Sequence, residues 1–231
     1  MFQSLFAQTD IYKSVIALLA KKSVGLTRQE IVRALKLSDG GGLTDVLNNL
    51  CNCDFIRKYT AFGKVEREAV FQLTDLFSLF YLRFVKGYNG RDAHRWVNMM
   101  DTPTQNTWRG YAFEQVCLLH IPQIKKALGI NGIQSDISSW YNRESEKGAQ
   151  IDMVIERRDQ TINLCEMKYS ASEYEITKAY NAKMLHRREL FRQRTKTRKA
   201  LHLTMITTLG IAQNRYAGDI QSEVTMEDLF Q

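Results

Sequence analysis

The stretch GAQIDMVIERRDQTINLCEMKYS, residues 148–170, limits the fold more than any other part of the chain. Two apolar runs, 150–156 and 161–168, flank a charged turn at Glu156 to Asp159. That is the pattern of neighbouring strands buried in a sheet. Asp152 stands near the start of the first run, and Glu166 and Lys168 near the end of the second, where the flanking residues form a core. Burying such groups costs free energy unless they are paired. Side chains alternate across a strand, so Glu166 and Lys168 share a face. In a hairpin, Asp152 lies beside Glu166 on that face. Two adjacent carboxylates raise each other's pKa, and a divalent cation between them removes the repulsion. Mg²⁺ (or Mn²⁺) suits a few carboxylate oxygens with the rest of its shell open to a phosphate, and the Met167 carbonyl offers one more oxygen. Lys168 then holds an attacking water or stabilises charge on a phosphate. The set is the one phosphodiester hydrolysis requires.

The N-terminal part has a different rhythm. Ile11, Val15, Leu18 and Leu19 fall at helical spacing. Thr27 and Glu30 form a capping box before Ile31, Leu35 and Leu37. Asp39–Gly42 read as a turn, followed by a helix carrying Leu43, Val46, Leu47 and Leu50. Residues 55–59 and 70–73 read as strands around a turn at 61–64. Three helices and a hairpin give the order of a winged helix-turn-helix. Its candidate recognition helix, Gly42 to Asn52, contains neither Arg nor Lys, so a scaffold or protein-binding role competes with DNA reading. Arg57 and Lys58 decorate the wing and are candidate phosphate contacts. Thr74-Asp75 caps an aromatic helix with Leu76, Phe77, Phe80, Phe84 and Tyr88. The winged unit with this helix spans 1–88, residues 89–104 form a linker with Trp96, Met99 and Met100 as a docked helical patch, and an α/β domain fills 105–231.

That domain reads as a helix from 107 through "HIPQIKKAL", a strand at 132–143, the two central strands, a helix at 173–193 and a strand at 200–208. The second helix carries Lys178, Lys183, Arg187, Arg188 and Arg192, and the cationic run continues to Lys199 with Glu189 as its one acid. It serves either as a solvated face or as a track for a nucleic-acid backbone. Tyr169, Tyr174 and Tyr180 stack on bases or simply pack. The net charge of +7 agrees with a phosphate-bearing partner without requiring one.

Asp152, thirteen intervening residues, then Glu166-x-Lys168 resembles the PD-(D/E)xK nuclease superfamily, as does the element order from 107 to 208. The resemblance implies a mixed α/β protein with a restriction-endonuclease-like domain around a central mixed sheet. It also implies that Glu114, in GYAFEQ, joins Asp152 and Glu166 at the metal, with all three and Lys168 forming the catalytic set. Gly148 fits as well. The chain departs in lacking a Pro before Asp152 and a Gln-x-x-x-Tyr on the second helix, where Lys178 and Tyr180 stand instead. The segments LTDLFSLFYLRF, WRGYAFEQVCLLH, QIDMVI, LCEMKYS and TMITTLG, with the winged helix, look like the C-terminal half of a bacterial and archaeal AAA-type ATPase family. This implies that the chain is a fragment whose ATPase domain lies elsewhere, and that nucleic acid, DNA before RNA, is the partner. A non-catalytic DNA-binding or regulatory module attached to such an ATPase is the alternative.

Other classes are excluded. The chain has no phosphate-binding loop ending in Gly-Lys-Ser/Thr. Cys51, Cys53, Cys117 and Cys165 have neither disulfide-framework nor zinc spacing and read as reduced thiols. No apolar run spans a membrane and Met1–Ser4 does not open a signal peptide, so the cytoplasm is the expected location.

Overall fold

The computed structural model describes residues 9–142 and 149–231. Gly148 and Arg143, both used in the sequence reading, lie outside the described residues. The protein is a mixed α/β chain that divides into two compact units. The first runs to Met100, and the second comprises Asp101–Gln231 together with Ala61–Gly63.

In the first unit, α1 (Thr9–Leu19) buries Tyr12, Val15, Ile16 and Leu19, a face shifted slightly from the expected one. β1 (Leu26–Thr27) leads into α2 (Arg28–Leu35), which starts at the Thr27–Glu30 capping box. The Glu30 carboxylate accepts the Thr27 N–H at 2.8 Å. Lys36, left-handed at φ 52°, ends the helix before Leu37 can join it. α3 (Gly41–Asn52) buries Leu43, Val46, Leu47 and Leu50. β2 (Ile56–Tyr59) and β3 (Val70–Leu73) form the hairpin. β1, a strand not expected from the sequence, pairs with the other edge of β3 and completes a three-stranded antiparallel sheet of order β1-β3-β2.

The aromatic helix is shorter than the expected span. α4 (Leu76–Phe80), capped by Asp75, opens into a π-helical turn over Tyr81–Val85, and the chain reverses at Gly87 (φ 82°). α5 (Arg95–Asn98) lies in the segment expected as linker. Its Trp96 stacks edge-on against Phe80 and Phe84, at centroid distances of 5.0 and 5.2 Å.

In the second unit, α6 (Pro103–Leu119) begins earlier than expected. Thr102 caps it, and Pro103 sits at the first helical position, where a missing N–H costs nothing. The expected single helix is broken at His120, and α7 (Ile121–Ala127) follows with Pro122 in its first turn. A proline ring cannot continue the preceding hydrogen-bond ladder. β4 (Ser135–Asn142), β5 (Ala149–Arg157), β6 (Thr161–Lys168), β7 (Ala200–Thr207) and β8 (Ser222–Thr225) form one sheet in sequence order. β4, β5 and β6 pair antiparallel, whereas β7 and β8 continue in parallel. β8 was not anticipated. Glu156 and Arg157, expected in the turn, belong to β5, and the exposed turn is 158–160.

α8 (Lys178–Thr195) connects β6 to β7. It starts five residues later than expected, because Thr177 is its cap and Tyr174 is held in an isolated bridge with Ile211. One face of the sheet buries Ile151, Val154, Ile162 and Leu164 against Met184 and Phe191 of α8. The other buries Met153, Ile155, Cys165 and Met167 against Phe113 and Cys117 of α6 and Ile124 of α7.

Candidate active site

The site is built where β5 stops pairing with β6. A bulge between Ser138 and Trp140 sets two β5 residues, Asp152 and Met153, opposite Ser139 alone. A bulge breaks the two-residue period and re-aims side chains. Ile151 and Val154, three residues apart, consequently both face α8. The β5–β6 ladder ends at the pair Met153–Cys165, and its register carried one step further sets Asp152 opposite Glu166. There the Asp152 carboxylate replaces backbone, and its Oδ2 accepts the Met167 N–H at 3.1 Å.

Glu166 is buried and heavily engaged. Its Oε1 accepts from the Tyr180 hydroxyl at 2.7 Å and from Lys168 Nζ at 2.9 Å, and its Oε2 accepts from Arg187 Nη1 at 2.7 Å. Lys168 Nζ also donates to the Met167 carbonyl at 3.1 Å and stands 3.9 Å from Asp152 Oδ2. A single ammonium therefore stands among three of the oxygens expected around a divalent cation, those of Glu166, Met167 and Asp152, without Glu114. No hydrogen bond forms at Asp152 Oδ1 among the described residues.

The two carboxylates are driven apart electrostatically. Burial, and then the charge of Glu166, push Asp152 up to about 6, against the opposing pull of Lys168 and the Met167 N–H. Burial also works against ionised Glu166, but Lys168, Arg187 and the Tyr180 hydroxyl outweigh it and lower its pKa. Lys168 is itself desolvated, yet Glu166, Asp152 and Glu114 raise its pKa. Neighbouring acids with divergent pKa values are typical of catalytic pairs, though structural ion pairs also produce them.

The structure brings Asp152, Glu166 and Lys168 together. Glu114, half-buried on α6, is close enough for its charge to act on Lys168. Even so, no three His, Cys, Asp or Glu side chains gather as a metal-holding group among the described residues. The expected three-carboxylate set is thus not preassembled, and the Lys168 ammonium lies between Asp152 and Glu166 instead.

Arg187, expected on a backbone-tracking face, turns inward to Glu166. Arg188 is half-buried and shares with Arg187 a crevice lined by Ile151, Glu166 and Met184. Lys178, Lys183 and Arg192 are exposed along α8. Lys199, from the same cationic run, pairs with Glu156 at 2.8 Å. On the wing, Arg57 donates to Gln72 Oε1 at 2.7 Å and lies over the Tyr59 ring, while Lys58 pairs with Glu66.

Tyr180 and Arg187 are site residues whose roles the sequence reading missed. A signal for them existed: Tyr180, Met184, Arg187 and Phe191 fall at i, i+4, i+7 and i+11, the buried stripe of a helix. An arginine in that stripe needs an acid beneath it.

The fold and cluster together define a mixed α/β protein with an acid–lysine centre at the end of its central antiparallel pair. Residues 81–180 match DUF234, a family described as archaea bacterial proteins of unknown function. No curated protein and no solved structure matches the chain. Among the described residues, no helix is long and apolar enough to cross a membrane.

Proposed function

We propose that the second unit is a cytoplasmic Mg²⁺- or Mn²⁺-dependent nuclease that cleaves phosphodiester bonds of nucleic acid, DNA in the first instance. The observation that carries this reading is the cation-shaped oxygen set. Glu166 Oε1, the Met167 carbonyl and Asp152 Oδ2 all turn toward Lys168 Nζ, with Asp152 Oδ1 still unused. Hard divalent cations select such oxygens, so the residues present fit the ion. Asp152, Glu166 and the Met167 carbonyl would hold it, with Glu114 joining directly or through water.

The bound ion supplies Lewis-acid stabilisation of phosphoryl charge and a more acidic water. Lys168, once exchanged out of the oxygen set, donates to a phosphoryl oxygen and offsets its developing charge. Asp152 is largely ionised above about pH 6 and is then competent as an oxygen ligand. Arg187 and Tyr180 keep Glu166 ionised and oriented. The exposed Lys178, Lys183 and Arg192 offer phosphate contacts beside the centre. That this unit works in the C-terminal part of an AAA-type ATPase protein is included in the proposal and rests on the sequence resemblance.

One observation favours the alternative, a non-catalytic module serving such an ATPase. Both Glu166 oxygens are already satisfied by protein donors, as in a purely structural ion-pair network. Cleavage of linear, circular and single-stranded DNA with Mg²⁺ or Mn²⁺ separates the two. Wild-type cleavage that Asp152→Ala and Lys168→Ala both lose supports the nuclease. Intact DNA binding without cleavage of any substrate supports the module.

A further inference from the structure

The segment between the aromatic helix and α5 contains a second concentration of charge, unrelated to the carboxylates of the sheet. A pocket open to solvent is lined by Arg83, Phe84, Lys86, Gly87, Tyr88, Asn89 and Arg95. Three of these are cations and none is an acid. The backbone explains how they meet. The π-helical turn ends at Val85 and Gly87 reverses the chain at φ 82°, a conformation strained for other residues. Arg83 and Lys86 thereby border the same opening as Arg95, which arrives from α5.

Arg95 is held in place rather than free to swing. Its guanidinium lies 4.4 Å from the Tyr88 ring centroid, and its Nη1 donates to the Phe84 carbonyl at 3.1 Å. The nearby acid, Asp92, is committed elsewhere: its Oδ1 accepts the His94 N–H at 2.9 Å, and its Oδ2 accepts the Asn98 amide at 3.1 Å. Among the described residues, none of Arg83, Lys86 and Arg95 forms an ion pair, whereas Lys58, Lys64, Arg109, Arg157 and Lys199 all do.

We infer that this pocket is a phosphate-binding site. Three cations exceed what one carboxylate can neutralise. They match consecutive phosphodiesters or a polyphosphate, whose oxygens also suit a preorganised guanidinium fork. The phosphates come either from a nucleic-acid backbone or from a free nucleotide. The site stands independently of whether the second unit cleaves anything.

The test uses the full chain and a fluorescently labelled DNA oligonucleotide, single-stranded and duplex, titrated at several salt concentrations. Pyrophosphate and ATP are titrated separately by calorimetry. The variants are Arg83→Glu, Lys86→Glu and Arg95→Ala, with Lys126→Glu, at an exposed lysine on α7, as a control whose charge change equals that of the two glutamate variants. Unchanged melting temperatures for Arg83→Glu and Lys86→Glu keep the result interpretable if Arg95→Ala disturbs the segment. A backbone site predicts that Arg83→Glu and Lys86→Glu weaken DNA binding about tenfold, well beyond the control. It also predicts a salt slope shallower by about one per lost phosphate contact. A nucleotide site predicts the same losses for pyrophosphate and ATP, with DNA spared. Variants that bind all these probes like Lys126→Glu would overturn the inference, as would pocket binding of poly-glutamate in preference to every phosphate probe.

Discussion

Charge is handled in opposite ways in the two units of the chain. In the sheet of the second unit, two carboxylates meet two cations, and Glu166 alone receives Tyr180, Lys168 and Arg187. Around Arg83, Lys86 and Arg95, three cations border a pocket with no carboxylate in its lining. The first cluster is buried and lies where uncompensated charge cannot survive. The second is open to water, where unpaired cations cost little. Burial therefore decides what each cluster can do. Under the proposed function the sheet centre would take up a metal ion only by exchanging its own ammonium, whereas an anion would enter the pocket with no rearrangement of charge.

The comparison breaks most readily at Glu166. Glu166→Ala leaves Lys168 and Arg187 together without their main counter-ion, and urea unfolding should show a loss of about 3 kcal/mol. Neutralising Lys86 in the open pocket should leave the unfolding midpoint within experimental scatter. Equal losses at the two positions would remove the distinction.

Asp152 supplies the next largest effect, and it depends on pH. Asp152 keeps its proton up to about pH 6, against 3.8 in the unfolded chain. The folded state binds more protons in that window, so this group's contribution makes stability fall as pH rises through it. With a chelator present, the stability of Asp152→Asn relative to wild type should increase by up to about 3 kcal/mol from acid pH to neutrality, then stay level. A flat difference across the range would mean that Asp152 is not desolvated as described.

Glu166 has the opposite sign. Its lowered pKa contributes stability that is present above its unfolded value near 4.5 and is lost as pH falls through the folded value. Arg187→Met removes one cause of that lowering. It should cost about 1 kcal/mol at neutral pH and shrink the acid-induced loss, read from unfolding curves at several pH values. Smallest of all, Lys178→Ala on the exposed start of α8 should stay within about 0.5 kcal/mol of wild type, since its ammonium is solvated.

How far the sequence foretold these features depends on whether their cause is local. The Thr27–Glu30 capping box and the apolar stripe of α3 depend on near neighbours, and both appear where their residues place them. The central strands were equally legible from β-branched and apolar runs. The β5 bulge was not, because it is a property of pairing with β4, and nothing in QIDMVI announces an extra residue. β1 and β8 were missed for a related reason: strands of two and four residues gain their definition from the partner edge. At the site, alternation correctly joined Glu166 to Lys168, but the basic run on α8 concealed Arg187. Counting cations hides the one that belongs to the buried stripe, while helical spacing reveals it.

Under the proposed function the oxygens around Lys168 form a cation site for which the ammonium and a divalent ion compete. Calorimetric titration of Mn²⁺ at a pH well above the Asp152 pKa tests this without recourse to cleavage. One bound ion is expected in wild type, tighter binding in Lys168→Ala, and none in Asp152→Ala. Absence of binding in both wild type and Lys168→Ala, or binding that survives Asp152→Ala unchanged, would contradict it.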